Sequence, residues 1–195
     1  MARRFDRKQL PDSFLELLLY PDFFGELRAQ TIFENLKSEL DWKQGEIKLF
    51  GKEIPEPRLT AWYGDFDYQY SNKRSSKKKF TQTLLSIQRG LMQEFDIEFN
   101  GVLCNWYRHG QDSMSWHSDD EKELETHTPI VSLSFGASRK MKFRKKSDRT
   151  KKLDLILEHG SLLLMPPEVQ VQFQHAIPNQ SRADGRINLT FRRGG

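Results

Sequence analysis

Arg186-Ile187-Asn188-Leu189-Thr190-Phe191-Arg192 alternates polar and apolar side chains from end to end. Successive side chains of an extended strand point to opposite faces, so Arg186, Asn188, Thr190 and Arg192 line one face and Ile187, Leu189 and Phe191 the other. Taken alone, this is an antiparallel strand with its polar side in water. Three segments upstream give that polar side another use, and with it they decide the architecture.

The first is Trp116-His117-Ser118-Asp119-Asp120-Glu121. If the chain is extended at its start, His117 and Asp119 project from one face, where an imidazole and a carboxylate can share an ion. The same H-x-D triplet is also an ordinary hydrogen-bonded surface turn. The second is His175, which follows the alternating run Val171-Gln172-Phe173-Gln174 and can lie beside the first strand. Two imidazoles and a carboxylate make the facial triad of non-heme Fe(II) oxygenases, which leaves coordination positions open for a chelating co-substrate and for O2. Zinc accepts these ligand types too. The third is Asn105-Trp106-Tyr107, which sets an amide and a phenol on one strand face, opposite Cys104 and Trp106. A planar guanidinium fork matches a carboxylate bidentately, so Arg186 and Arg192 suit a dicarboxylic acid such as 2-oxoglutarate and tip the metal toward iron.

Composition agrees. At 195 residues the chain is long enough for one domain with a real core. Its single cysteine, Cys104, excludes an intrachain disulfide and any multi-thiolate zinc site, points to a reducing compartment and reads as a small buried hydrophobe. No apolar stretch reaches membrane-spanning length, and the start, Met1-Ala2-Arg3-Arg4-Phe5, lacks the apolar core of a secretory signal. A cytoplasmic monomer with no membrane partner is expected. The net charge is +4, but its placement says more. Lys73, Arg74, Lys77, Lys78 and Lys79 form one cluster, and a second runs from Arg139 through Lys140, Lys142, Arg144, Lys145 and Lys146 to Lys152. Met141 and Phe143 fall opposite Lys140, Lys142 and Arg144, so a strand edge presenting cations to a phosphate backbone is predicted.

Helical spacing appears at Phe24, Leu27, Thr31 or Ile32, Leu36 and Leu40, and again at Phe80, Leu84, Ile87, Leu91 and Phe95. From about Asn100 the pattern turns to short strands at 130–135, 140–143, 153–157, 161–165 and 186–192. An α+β, mostly β fold follows: an antiparallel jelly-roll barrel (a double-stranded β-helix) backed by N-terminal helices.

In this order, N-x-Y, H-x-D, Ser132-Leu133-Ser134-Phe135-Gly136-Ala137, the distal His175 and R-x-N-x-T-F-R resemble the AlkB-like Fe(II)/2-oxoglutarate dioxygenases that reverse alkylation damage in nucleic acids. The likeness covers about Phe14 to Arg192. It is closest to the nuclear DNA-repair branch, through Tyr63-Gly64-Asp65, His117 to Glu121 and Phe135-Gly136-Ala137. The resemblance implies that His117, Asp119 and His175 hold iron, and that Asn105, Tyr107, Arg186, Asn188 and Arg192 hold 2-oxoglutarate. It implies an oxidative demethylase acting on 1-methyladenine and 3-methylcytosine in DNA, located in the nucleus in a eukaryote. Residues 14–75 would form an N-terminal helix and a nucleotide-recognition lid, and 76–195 a helix plus the catalytic barrel. Within the lid, Phe50 would wedge into the duplex, while Tyr68, Tyr70 and Ser71 would form the base pocket, with an aromatic stacking on the flipped base. Asp120 and Glu121 would face the exocyclic amine of the base.

One segment departs from that branch. Where a basic triplet follows the distal histidine, this chain has Asn179-Gln180-Ser181-Arg182-Ala183-Asp184, with Arg182 alone basic. RNA as the polymer is the alternative. A non-catalytic nucleic-acid-binding module is a further one, although it has no need of the triad and both arginines together.

Overall fold

The computed structural model describes residues 10, 17–49, 52–70 and 73–195. In chain order the first elements are β1 (Leu18–Tyr20), α1 (Glu26–Glu39), β2 (Lys43–Leu49), β3 (Lys52–Gly64), β4 (Tyr68–Tyr70), β5 (Lys73–Ser75) and α2 (Gln82–Phe95). There follow β6 (Gly101–Tyr107), β7 (Met114–His117), β8 (Ile130–Gly136), β9 (Arg139–Lys145), β10 (Lys152–Leu157) and β11 (Leu162–Met165). The chain closes with α3 (Pro167–Gln172), β12 (Phe173–Ile177) and β13 (Arg186–Arg192). A seven-stranded sheet runs β1-β11-β8-β13-β6-β3-β2, a four-stranded sheet runs β10-β9-β12-β7, and β4 pairs with β5 in a separate hairpin. Every pairing within them is antiparallel.

β13 has the predicted bounds, but neither of its faces meets water. All seven of its residues are buried. Ile187, Leu189 and Phe191 pack with Val102, Leu133, Ala29 and Leu84 in a core between the large sheet and the two long helices. Each such side chain contributes roughly 1.5–3 kcal/mol by leaving water. The second core, which includes Tyr107, Met114, Phe143, Leu163 and Phe173, joins residues of both sheets, and the polar face of β13 looks into that same space. Helices on one side and the small sheet on the other make β13 an interior beam, flanked by β6 and β8.

Several expectations need correction. Leu27 is 87% exposed, because the buried stripe of α1 is Ala29, Ile32 and Leu36, and Leu27 lies about 200° round the helix from Ala29. α2 follows its expected stripe, with Leu84, Ile87 and Leu91 buried and the Thr81 hydroxyl accepting from the Leu84 N–H as a cap. Strands begin well before Asn100. Pro55 and Pro57 hide β3, yet β3 pairs with β6 only over Leu59–Gly64, so the prolines sit where β2 alone flanks them. Part of the segment expected as a lid therefore extends the large sheet, and the β4–β5 hairpin stands apart. β9 alternates as predicted but lies between β10 and β12, so it presents a face and not an edge.

Candidate metal and co-substrate site

His175 on β12 is the direct cross-strand partner of His117 on β7, and their ring centroids are 4.2 Å apart. β7 ends at His117, so Asp119 reaches the pair from the following loop and not from the strand face predicted for it. Its Oδ1 lies 3.6 Å from His117 Nε2 and its Oδ2 3.8 Å from His175 Nε2. One ligand atom from each of the three residues falls within 4.8 Å of the others. His117 Nδ1 sits 2.8 Å from the Ser115 carbonyl oxygen, a contact that places the proton on Nδ1 and the lone pair of Nε2 toward Asp119.

Burial lowers the pKa of both imidazoles, that of His175 to about 3, so both are neutral at physiological pH. Burial also opposes the charge on Asp119, but nearby positive charge, chiefly that of Arg192, holds the carboxyl below its usual range. Two neutral nitrogens and one ionised oxygen converging in this way are the donor set a divalent iron accepts.

Antiparallel pairing places the co-substrate residues. Arg186 lies opposite Tyr107 and Asn188 opposite Asn105 across β6, while Ser134 and Ser132 face Asn188 and Thr190 across β8. The Arg186 guanidinium is buried and donates from Nη2 to Ser134 Oγ at 2.9 Å. Its Nε and Nη1 meet no acceptor among the described residues. Burial lowers its pKa to about 10, and Arg139 adds a second cation beyond the Tyr107 ring, each guanidinium 5.4 Å from the ring centroid. Arg139 was expected among the outward cations. It is fully buried, with Nη2 donating to the Asp112 and Pro178 carbonyls at 2.8 Å each. A buried guanidinium with two unpaired donors fits the carboxylate of a bound dianion.

Arg192 is different. Its Nη2 pairs with Asp119 Oδ1 at 3.0 Å, and its Nη1 contacts Glu121 and the Tyr68 hydroxyl. Asn188 donates to Ser132 Oγ and the Leu133 carbonyl at 2.8 Å each, so its amide protons are committed to the wall. Asn105 accepts at Oδ1 from Arg58 Nε at 2.9 Å, which turns its NH2 end away from Arg58. Arg58, buried beside Glu56, was missed in the sequence because the prolines of β3 mask the alternation of Glu56, Arg58 and Thr60. Ser132 and Ser134 stood inside a noted motif without a role, and their spacing of two was the available signal. Met114, Met141 and Met165 complete the cavity lining beside the triad.

A neighbouring cavity of about 330 Å³ opens onto Asp119 and Arg192, with Asp120, Glu121, Lys146 and Val171 around it. Asp120 is exposed there, 3.8 Å from Lys146, and the Glu121 pKa is raised by burial. Tyr68 is not a free stacking platform. Its ring lies 4.3 Å from Trp62, nearly parallel, and its hydroxyl donates to Glu121 Oε1 at 2.6 Å, with the residue 1% exposed. Phe50 and Ser71 fall outside the described residues, and the backbone of Tyr70 pairs with Lys73 in the β4–β5 hairpin. Of the cation clusters, Arg74 pairs with Asp67, Lys78 with Asp41 and Lys140 with Asp154, while Arg144 lies over the Trp116 ring at 4.2 Å. The buried Cys104 thiol has its pKa raised by burial.

The 2OG-Fe(II) oxygenase superfamily matches residues 16–192, and the chain belongs to it: an Fe(II)- and 2-oxoglutarate-dependent dioxygenase that also uses O2. Among its relatives, alpha-ketoglutarate-dependent dioxygenase alkB homolog 3 of Mus musculus is 36% identical over 192 residues, covering 93% of this chain and 67% of the relative. DNA oxidative demethylase ALKBH2 of Mus musculus is 36% identical over 187 residues, covering 89% of this chain and 78% of the relative. The chain thus spans about two thirds of the length of the alkB homolog 3 relatives. The solved structure of OsALKBH1 shares the fold, with a TM-score of 0.67 at 15% identity over 96% of this chain and 100% of that one. Among the described residues no helix is long and apolar enough to cross a membrane.

Proposed function

We propose that this protein is an oxidative demethylase of N-alkylated bases in nucleic acid, acting as a monomer on 1-methyladenine and 3-methylcytosine in DNA. The observation that carries the reading is the second cavity, lined by Asp120 and Glu121, which opens directly onto the carboxylate of the triad. Relatives named as a DNA oxidative demethylase and as an alkB homolog support the same chemistry.

His117, Asp119 and His175 would hold the iron. Arg186, with Ser134 behind it and Tyr107 beside it, would take the distal carboxylate of 2-oxoglutarate, while Asn105, oriented by Arg58, donates from its NH2. Arg192 keeps the Asp119 carboxylate ionised and aimed, and Asn188 holds the wall on which the co-substrate lies. When bound, iron and 2-oxoglutarate supply with O2 the oxidation that turns an N-methyl group into N-hydroxymethyl, giving succinate and CO2; formaldehyde then leaves and the base is restored. The chain's own part is placement. Asp120 and Glu121 accept from the exocyclic amine and set the methyl carbon toward the metal. Phe50, Tyr70 and Ser71 would contact the flipped nucleotide, and the free cations of both clusters the phosphates. A cytoplasmic or, in a eukaryote, nuclear location suits that substrate.

The replacement of a basic triplet by Asn179 to Asp184 favours single strands over duplex, and with them RNA as a second polymer. The test loads the protein anaerobically with Fe(II), then adds O2, 2-oxoglutarate and DNA or RNA oligonucleotides carrying 1-methyladenine or 3-methylcytosine. Loss of one methyl with matching succinate is expected. Intact methyl groups on every oligonucleotide, with 2-oxoglutarate still consumed, would overturn the substrate assignment.

A further inference from the structure

Asp119 is the one ligand of the triad that no strand holds. β7 stops at His117, and the backbone runs on through Ser118 outside any ladder. Its carboxylate pairs with Arg192 at 3.0 Å and lies 3.6 and 3.8 Å from the histidines. Left to that ion pair alone, the loop could follow Arg192 and open the triad.

The opposing tether comes from 51 residues further along. The Asp119 backbone N–H donates to Gln170 Oε1 at 2.9 Å. Gln170 is 7% exposed, and its Nε2 contacts Met165 Sδ at 3.8 Å, which leaves the oxygen end toward the loop. A second tie runs from Ser118 Oγ to the Phe173 carbonyl at 2.9 Å. Gln170 belongs to α3, which Pro166 and Pro167 stiffen at its start and which passes directly into β12 with His175. One rigid segment therefore carries the distal histidine and grips the carboxylate ligand.

We propose that Gln170 is a positioning residue for Asp119, and that its amide oxygen sets the metal affinity of the site. The neutral side chain fixes the ligand's backbone without adding charge beside it. Partners of this outer kind change metal affinity or activity by about ten- to hundredfold when removed.

The test measures Mn(II) dissociation constants of the full chain, without 2-oxoglutarate or nucleic acid, next to thermal unfolding of the metal-free protein. Gln170→Leu should weaken Mn(II) binding by about ten- to hundredfold while unfolding stays cooperative. Gln170→Met, which keeps the side-chain length and loses the oxygen acceptor, should weaken binding to a similar degree. Wild-type Mn(II) affinity in Gln170→Leu or in Gln170→Met would overturn the proposal. Should Gln170→Leu fail to fold, Gln170→Asn withdraws the same amide by one methylene and must bind Mn(II) more weakly than wild type; equal affinity overturns the proposal. The inference rests on the metal site and not on the nucleic-acid assignment. Inactivity on every methylated oligonucleotide with the Mn(II) shift intact would refute the substrate alone.

Discussion

The two ends of β13 carry the same residue in opposite electrostatic states. At one end Arg192 is buried against Asp119, Glu121 and Tyr68, and these groups outweigh burial and raise its pKa. At the other, Arg186 is as deeply buried but has no carboxylate: burial lowers its pKa, Arg139 lies across Tyr107 and two of its nitrogens lack acceptors among the described residues. Arg192 is neutralised by the carboxylates around it, whereas Arg186 keeps donors without an acceptor among the described residues. A protein does not keep an uncompensated buried cation for stability, so the contrast supports the proposal that Arg186 takes the anionic co-substrate.

The comparison can be broken in several ways, beginning with the most drastic. Asp119→Ala removes both the metal oxygen and the partner that distinguishes the Arg192 end. Turnover should vanish while affinity for an unmethylated oligonucleotide survives, as read by succinate release and fluorescence anisotropy; retained demethylation would sink the triad. Arg192→Met leaves Asp119 buried without its partner and should destabilise the metal-free protein by about 3–5 kcal/mol in urea unfolding. Binding of 2-oxoglutarate should act at the other end. At a ligand concentration about a hundredfold above Kd it adds about 2.7 kcal/mol, visible as a higher Tm, and Arg186→Met should abolish that gain.

The sharpest contrast is in sign. Arg186→Met should stabilise the metal-free protein by roughly 1–3 kcal/mol while it ruins co-substrate binding, opposite to Arg192→Met. Equal destabilisation by both would refute the picture of an unpaired charge. The smallest effect is pH dependence. The folded pKa of Arg186, about 10, lies below its ordinary 12.5, so the folded protein sheds this proton first as pH rises. The stability gap between Arg186→Met and wild type should therefore narrow as pH climbs through about 10. A gap that stays constant across pH 8 to 11 would place the cost elsewhere than in the charge.

The same contrast marks what could be read in advance. β13, the triad and the pairing of His175 with His117 were legible, because period-2 alternation is a local signal and metal-ligand types are few. Arg139 was counted with the cations of its run although alternation puts it on the face of Met141 and Phe143, where three carbonyls receive it. Tyr68 matched a base-pocket segment, yet Trp62, four residues from the Phe66 carbonyl it donates to, covers its ring. Arg58 was hidden by the prolines of β3, and Gln170 gave no signal, because nothing in its short helix marks the Asp119 backbone that it holds in the closed fold.

The central place of β13 has a consequence for how such an enzyme can change. Its apolar side packs against the helices and its polar side lines the cavity beside the triad, so a substitution there disturbs packing and the site together. The exposed strand β5 and the turn after β9 bear no such double duty. New targets can be acquired at that periphery through variation in β5 and the turn after β9, while the central beam is held by two independent constraints.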